Sequence, residues 1–475
     1  VKKFIALTLI FLAGCTLQPK YCRPDVEIPC QWRIEPDEIS CNPNNCWWTL
    51  LQDPVLDNLV MEALLYNQDI KTAIYRVEQF MAQLGISRSQ LYPQISANLE
   101  AVKLKDSETT ILAPIPPGRP SSEPLYTMVL DGSWYIDLWG LIRSANAAAL
   151  ADLLAQIEVR KTVVLTVISA VASSYIQLRQ FDLQLEYANG LLENRLALLE
   201  LTEARYHLGQ VSDVDVELAR ADVANALTTA EQLKISIALE ENLLSILIGH
   251  PPCDIKRGDL LSEITMPPKV PTFLPSDLLN QRPEILAAEQ NLIAANAQIG
   301  VARAQFFPQI SLTGSYGTQS SFLHELLKNP STIWQYGATL LQELFTGGKL
   351  TYQLRLAQAQ KEALVHRYQQ AVLNGFKEVN DALIAHQINL NLVHEQNAGI
   401  RALKEFVLLN EHLYEFGQTD LLTLLQAQLE FYTTQLSYTQ TLGDSFTSLI
   451  SIYQALGGGW VVDADDYSTQ AEYCN

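Results

Sequence analysis

Seven cysteines and seven histidines carry most of the chemical capacity of this 475-residue chain, and their spacing decides what that chemistry is. Cys15 stands apart, behind an apolar run. The other six, Cys22, Cys30, Cys41, Cys46, Cys253 and Cys474, are an even set. In an oxidising compartment they are material for up to three disulfides in any of fifteen connectivities, with free thiols as the alternative. No pair has zinc-knuckle spacing, so no metal is expected. His324, His366, His386, His394 and His412 fall singly along helix-like or loop-like sequence. No nucleophile–base set, glycine-rich phosphate loop or His/Glu metal spacing accompanies them. The expectation is a protein that is not an enzyme and has no cofactor.

Composition narrows the class further. The chain is 48% hydrophobic and only 18% charged, with a net charge of −20, so the basic footprint that nucleic acid requires is absent. Four methionines and seven histidines supply little for a metal-handling surface. At the amino terminus, Lys2 and Lys3 precede an apolar run from Phe4 to Leu12, too short to span a bilayer. It ends Leu12-Ala13-Gly14-Cys15, which resembles the lipobox of bacterial lipoproteins. That resemblance implies removal of residues 1–14 as a signal peptide, a lipid on the Cys15 sulfur and acylation (palmitate) of its amine. Thr16, where Asp would signal retention at the inner membrane of enteric bacteria, is compatible with the outer membrane.

The elements that position these residues can be read from proline. None of the 21 prolines lies between Leu125 and His250 or beyond Ser331. Proline inside a helix costs about 3 kcal/mol or more, so these windows permit very long helices. Leu141 to Leu208 and Lys349 to Phe416, 68 residues each, keep apolar residues at three- and four-residue intervals, roughly 100 Å of continuous helix. Rods of that length need partner rods. Gln68–Gln90 with Ser212–Gly249, and Arg282–Gln305 with Asp420–Leu456, supply them. The rod ends also match at an offset of 208: Tyr206-His207-Leu208-Gly209-Gln210-Val211-Ser212 against Tyr414-Glu415-Phe416-Gly417-Gln418-Thr419-Asp420. Gly209 and Gly417 suit the left-handed residue that ends a helix. Ser212 and Asp420 suit the next N-cap, with Asp215 completing a capping box.

A second pair of matching segments, residues 88–97 and 303–312, shares Arg, Gln, Pro, Gln, Ile and Ser. Pro93 and Pro308 mark where a helix gives way to a strand, because hydrophobicity beyond them repeats every second residue. Ile310, Leu312, Gly314 and Tyr316 alternate with polar residues, as do Trp334, Tyr336, Ala338 and Leu340, and Met128, Leu130, Trp134 and Ile136. The strand from Ile95 changes phase near Ala101–Val102, as a bulge would make it do. Long strands with one aromatic-bearing apolar face fit a transmembrane barrel; a soluble sheet packed on one face gives the same alternation. Two hairpins, 92–139 and 307–345, give four strands, whereas single-chain barrels start at eight. Closure in lipid would therefore require several copies. Residues 113–124 and 320–330 are then the external loops.

Taken together, the lipobox, "YCRPDVEIP", "QLYPQIS", "WYIDLWG", "YHLGQVSDVDV", "RPEILAAEQ", "QFFPQISL", "LFTGGKL" and "YEFGQTDLLTLLQAQ" resemble the outer-membrane factor family (TolC-like), in its lipoprotein branch paired with RND-type pumps. The resemblance implies a mixed α and β membrane protein. It would be a homotrimer with a twelve-stranded outer-membrane barrel, four strands per chain, continuous with a long periplasmic α-helical barrel. Residues 15–66 would form a lipid-anchored equatorial segment and 67–249 a first structural repeat. An equatorial linker would follow at 250–280, then a second repeat at 281–456 and an equatorial tail at 457–475. Independently of the resemblance, the even set of six cysteines is expected to form disulfides in the equatorial region, with Cys41–Cys46 one of the pairings open to it. The implied function is passive export of cargo delivered by an inner-membrane RND-type pump through a periplasmic membrane-fusion adaptor. The implied location is the outer membrane, lipid-anchored and extending into the periplasm.

The resemblance also assigns sites. The adaptor would dock at the two hairpin tips: Tyr206, Gly209, Gln210, Val211 and Ser212, and Tyr414, Gly417, Gln418, Thr419 and Asp420. Leu422 matches an apolar constriction residue. Two departures stand out: Gln210 and Gln418 replace the usual apolar residue after the glycine, and Thr423 and Gln426 stand where relatives carry acidic residues. Asp213, Asp215, Glu217 and Asp420 stay near the mouth, as an electronegative entrance or simply as caps. The alternatives are the outer-membrane duct of a type I secretion system and, in a different class, a lipid-anchored helical structural protein of the envelope.

Overall fold

The computed structural model describes residues 16–29, 32–33, 47–105, 122–264 and 278–458. In chain order its elements are α1 (Pro54–Tyr66), α2 (Gln68–Ser89), β1 (Gln94–Lys105), β2 (Ser122–Ile136), α3 (Leu141–His207), α4 (Asp213–Leu247), α5 (Pro283–Ala304), β3 (Gln309–Ser320), β4 (Thr332–Leu341), α6 (Lys349–Glu415) and α7 (Leu421–Ala455). Each of α2 to α7 lies within two residues of the span that proline and periodicity predict, because those two signals mark where the backbone ladder must stop. The exception is α1, inside the segment expected to be equatorial, a helix that the sequence reading did not single out. The chain forms two compact units. The first gathers Val1–Pro24, Val77–Gln156 and Ala288–Tyr368; the second gathers Asp25–Arg76, Ile157–Ala287 and Gln369–Asn475.

The first unit holds a single antiparallel sheet in the order β1-β2-β3-β4. The two hairpins are joined edge to edge by β2 and β3, from Tyr126↔Ser320 to Ile136↔Ile310. The expected bulge in β1 is absent: pairing with β2 runs one to one from Gln94↔Ser133 to Lys105↔Ser122. The change of phase is one of sequence and leaves the backbone regular. The strand β2 also starts inside the stretch expected to be a loop, at Ser122. Pro124 pairs with Lys103 of β1 but lies beyond the β3 pairing, which begins at Tyr126, so it stands at the end of the strand where β2 has one neighbour rather than two.

Also in the first unit, the extended segment Thr16–Arg23 runs along α5. Glu289, Asn296 and Arg303, each seven residues from the next, line one face of that helix. The Glu289 carboxylate accepts from the Tyr21 hydroxyl at 3.1 Å and Arg23 Nε at 3.0 Å. Asn296 Nδ2 donates to the Pro19 carbonyl at 2.7 Å, and Arg303 donates to that of Leu17 at 3.5 Å. Tyr21 and Arg23 of the "YCRP" stretch therefore act as a catch for a strap.

The second unit contains the largest apolar core, with Trp47, Leu56, Ile168, Tyr175, Ile176, Leu244, Phe446 and Tyr453 all almost fully buried. One buried carboxylate organises part of it. Asp53 caps α1 through Val55 N–H at 2.8 Å and accepts the Tyr175 hydroxyl at 2.6 Å. That hydroxyl in turn accepts from Gly258 N–H at 3.0 Å. No side chain fits at position 258, since a Cβ there would overlap the Asp53 carboxylate.

Replacing Glu289 with Ala removes the catch without opening the core. Tryptic cleavage after Lys20, an exposed residue within the strap, is expected to accelerate severalfold in Glu289→Ala. An unchanged cleavage rate would show that the strap is held by other contacts.

Candidate functional site

The register assigns every sheet residue to a face. Residues directly opposite in an antiparallel pair share a side. Ile95, Ala97 and Leu99 of β1 therefore lie beside Met128, Leu130, Trp134 and Ile136 of β2. Ile310, Leu312 and Tyr316 of β3 continue the same face, and Trp334, Tyr336, Ala338 and Leu340 of β4 complete it. The opposite face carries Gln94, Ser96, Asn98, Glu100, Asp131, Ser133, Ser311, Thr313, Ser315, Gln335 and Thr339. Ile95 is 77% exposed and Tyr336 78%, so among the described residues nothing covers the apolar side there. An exposed apolar face of this extent needs lipid or protein against it. Among the described residues the outer edges of β1 and β4 pair with no other strand.

Both helix-to-strand junctions fold alike. After α2, Leu91 and Tyr92 N–H bond to Arg88 and Ser89 carbonyls. After α5, Phe306 and Phe307 bond to Arg303 and Ala304. These tight turns end each helix, Pro93 or Pro308 follows, and the strand begins one residue later. A tryptophan donates to the carbonyl side of each junction: Trp134 Nε1 to Leu91 O at 2.9 Å, and Trp139 Nε1 to Pro308 O at 2.8 Å. Trp139 also stacks on Phe307 at 4.9 Å. The tryptophans are the part of this arrangement that the sequence comparison of the two segments missed.

In the second unit, the two hairpin tips share a backbone but not an environment. Gly209 and Gly417 both have φ of 70°, the left-handed turn in which a side chain is strained. Ser212 caps α4 in a capping box with Asp215, and Asp420 caps α7 by accepting Thr423 N–H at 2.7 Å. Gln210 and Gln418 are exposed, while Val211 and Thr419 are half-buried. The equivalent tyrosines diverge: Tyr206 is 42% exposed and Tyr414 only 4%. Tyr414 packs with Leu198, Leu421, Leu424 and Leu425, and the Arg205 guanidinium lies 4.4 Å over its ring. Leu422, Thr423 and Gln426 occupy the exposed side of α7, facing away from this cluster.

Acidic residues at the tips are largely engaged. Asp215 and Asp420 act as caps, and Glu217 pairs with Arg220 at 2.7 Å. A buried polar chain lies behind them. Arg195 donates to Gln428 Oε1 at 2.7 Å and to the Leu425 carbonyl at 3.3 Å. Gln428 Nε2 then donates to Glu411 at 2.9 Å. Burial pulls the Arg195 guanidinium below its ordinary range. Its sequence signal was available: Ala188, Leu191, Arg195, Leu198 and Thr202 keep a three–four spacing, so a charge sits in an apolar seam.

Of the cysteines, Cys22 and Cys253 are exposed free thiols. Cys15, Cys30, Cys41, Cys46 and Cys474 lie outside the described residues.

The sequence profile of the outer membrane efflux protein family matches residues 59–250 and 274–458. The chain belongs to that family. It is similar to the solvent efflux pump outer membrane protein SrpC of Pseudomonas putida, with 32% identity over 97% of this chain and 99% of that protein. The crystal structure of the Campylobacter jejuni CmeC outer membrane channel shares its fold, with a TM-score of 0.88 at 23% identity, covering 96% of this chain and 99% of that one. The open state of the Neisseria gonorrhoeae MtrE outer membrane channel superposes with a TM-score of 0.83 at 29% identity, over 94% and 99%. Family members are outer-membrane channels, and the chain is not an enzyme.

Two outcomes test the tips. Tyr414→Ala is expected to cost about 3–5 kcal/mol, as for a buried aromatic, and Tyr206→Ala no more than about 0.5 kcal/mol; thermal melting of the two variants distinguishes them. Separately, hydrogen bonds from the Thr423 side chain and backbone hold the Asp420 carboxyl below its ordinary range. The stabilisation from this cap is therefore present above the unfolded-chain carboxylate pKa and is lost as pH falls through the lowered folded value. Amide exchange at Thr423, corrected for its intrinsic pH dependence, should accelerate across that fall in the wild type. In Asp420→Asn it should not change.

Proposed function

We propose that the chain is the outer-membrane exit duct of a tripartite efflux system, passively conducting cargo from an inner-membrane RND-type pump and a periplasmic adaptor. The observation that carries this reading is the four-stranded sheet with one continuous apolar, exposed face and two unpaired edges. Backbone groups at such edges cannot stay unpaired in hydrocarbon, and four strands are too few to close. Three copies would pair β1 of each with β4 of the next into a twelve-stranded barrel, its polar faces lining the lumen. The kinship with SrpC favours small organic molecules as cargo, with selection made by the pump.

Under the same reading, residues 1–14 are removed and Cys15 carries the lipid, anchoring the chain to the outer membrane. The repeats 67–249 and 281–456 supply barrel and tunnel, and residues 15–66, 250–280 and 457–475 the equator. The tip residues around Gly209 and Gly417 meet the adaptor. Exposed Leu422, Thr423 and Gln426 face the tunnel axis and form its periplasmic constriction. Since neither Thr423 nor Gln426 is charged, the neck has no carboxylate ring and holds divalent cations weakly.

Planar-bilayer recording tests the proposal. The wild type is expected to show discrete pore steps that divalent cations barely affect, and Gln426→Glu to gain a divalent block by creating a ring of three carboxylates. Absence of pore steps from folded protein would overturn the channel reading. Steps without the gained block would overturn the placement of the constriction.

A further inference from the structure

We infer that Lys103 and Lys105 bind the phosphate groups of lipid headgroups in the outer leaflet; this rests on the barrel reading above. The register carries the argument. On the apolar face of all four strands, the only charged residues among those described are these two lysines. Both stand on β1, one same-face step apart, opposite Pro124 and Ser122. Because the β1 ladder has no bulge, they follow Ile95, Ala97, Leu99 and Ala101 on the same side of the sheet. Both are exposed, and neither forms an ion pair among the described residues.

Their height on the sheet matches a headgroup layer. Along β2 the apolar face extends from Ile136 to Tyr126, about 34 Å of strand. Tilted by about 40°, that spans about 26 Å, close to the ~25 Å apolar band of outer-membrane barrels. Tyr126, an aromatic of the kind that sits at a membrane boundary, is level with Ala101. Lys103 and Lys105 therefore begin one same-face step beyond the boundary, about 7 and 14 Å further along the strand. They lie at the end of the sheet away from the helix junctions. On β3 and β4 the same face turns to hydroxyls at Thr318 and Thr332, which pair with each other, so the transition to a polar layer occurs across the sheet. Lysines with flexible stems at this height place their ammonium groups among phosphates. A competing role, lysines that protect an edge strand from unwanted pairing, requires no lipid at all.

The test is the lipid preference of the full-length trimer reconstituted in vesicles. Quenching of tryptophan fluorescence by lipids with brominated acyl chains reports the relative affinity for lipid A, which carries phosphomonoesters, over zwitterionic phosphatidylethanolamine. The wild type is expected to prefer lipid A. Lys103→Gln with Lys105→Gln should lower that preference about fivefold per lysine, or roughly 25-fold together. Lys103→Arg with Lys105→Arg should retain it, which separates loss of charge from loss of fold. Equal preference in the wild type and the double Gln variant would overturn the inference, as would competition by free inorganic phosphate at concentrations comparable to the lipid. Insertion without lipid preference overturns this inference alone. Failure to insert into either vesicle overturns the barrel reading and this inference with it.

Discussion

A sheet in hydrocarbon cannot leave an edge open, and the rest of this structure depends on that constraint. Each unpaired N–H or C=O in lipid costs several kcal/mol. The sheet nevertheless ends at β1 on one side and β4 on the other, with an apolar face that no element among the described residues covers. In water the apolar face is the liability, and in lipid the open edges are, so a lone protomer suits neither medium. The sequence follows from this: long strands that alternate without interruption, prolines only where ladder bonds are not needed, and junction turns that end a helix cleanly before each hairpin.

Much of this was legible from residue order because the signals are local. Absence of proline over two windows, glycine at the tips and a change of period after Pro93 and Pro308 each report a backbone requirement that one segment meets by itself. What could not be read depends on distant partners. Tyr206 and Tyr414 look equivalent in sequence, yet one is exposed and the other buried beneath Arg205. Their difference comes from which helices lie alongside, and that is invisible to a pattern of spacing. Glu289 gave no hint that it holds Tyr21 and Arg23, more than 260 residues earlier. The inversion of phase in β1 was legible, but its cause was misread: a bulge and the end of an apolar band give the same letters.

Polar contacts in the two units follow a common rule. Asp53, Glu289 and Arg195 each bind more than one group and reach a segment more than 100 residues away, so that one side chain fixes the relation of elements far apart in sequence. A buried charge is costly unless its hydrogen-bonding capacity is met, and these residues meet it by joining segments. Conformational specificity for long parallel rods needs such devices, since apolar seams alone permit sliding by a turn.

The central claim, that the sheet is completed only between copies, is tested most directly by disulfide trapping. One cysteine on β1 (Ala97→Cys) and one on β4 (Ala338→Cys or a neighbour on that edge) in the same chain, in a background lacking the six cysteines that follow Cys15, would be oxidised in membranes and the products separated by mass. A ladder of cross-linked species that ends at the trimer is expected. Monomers alone at every pairing tried, or a ladder continuing past three copies, would contradict it.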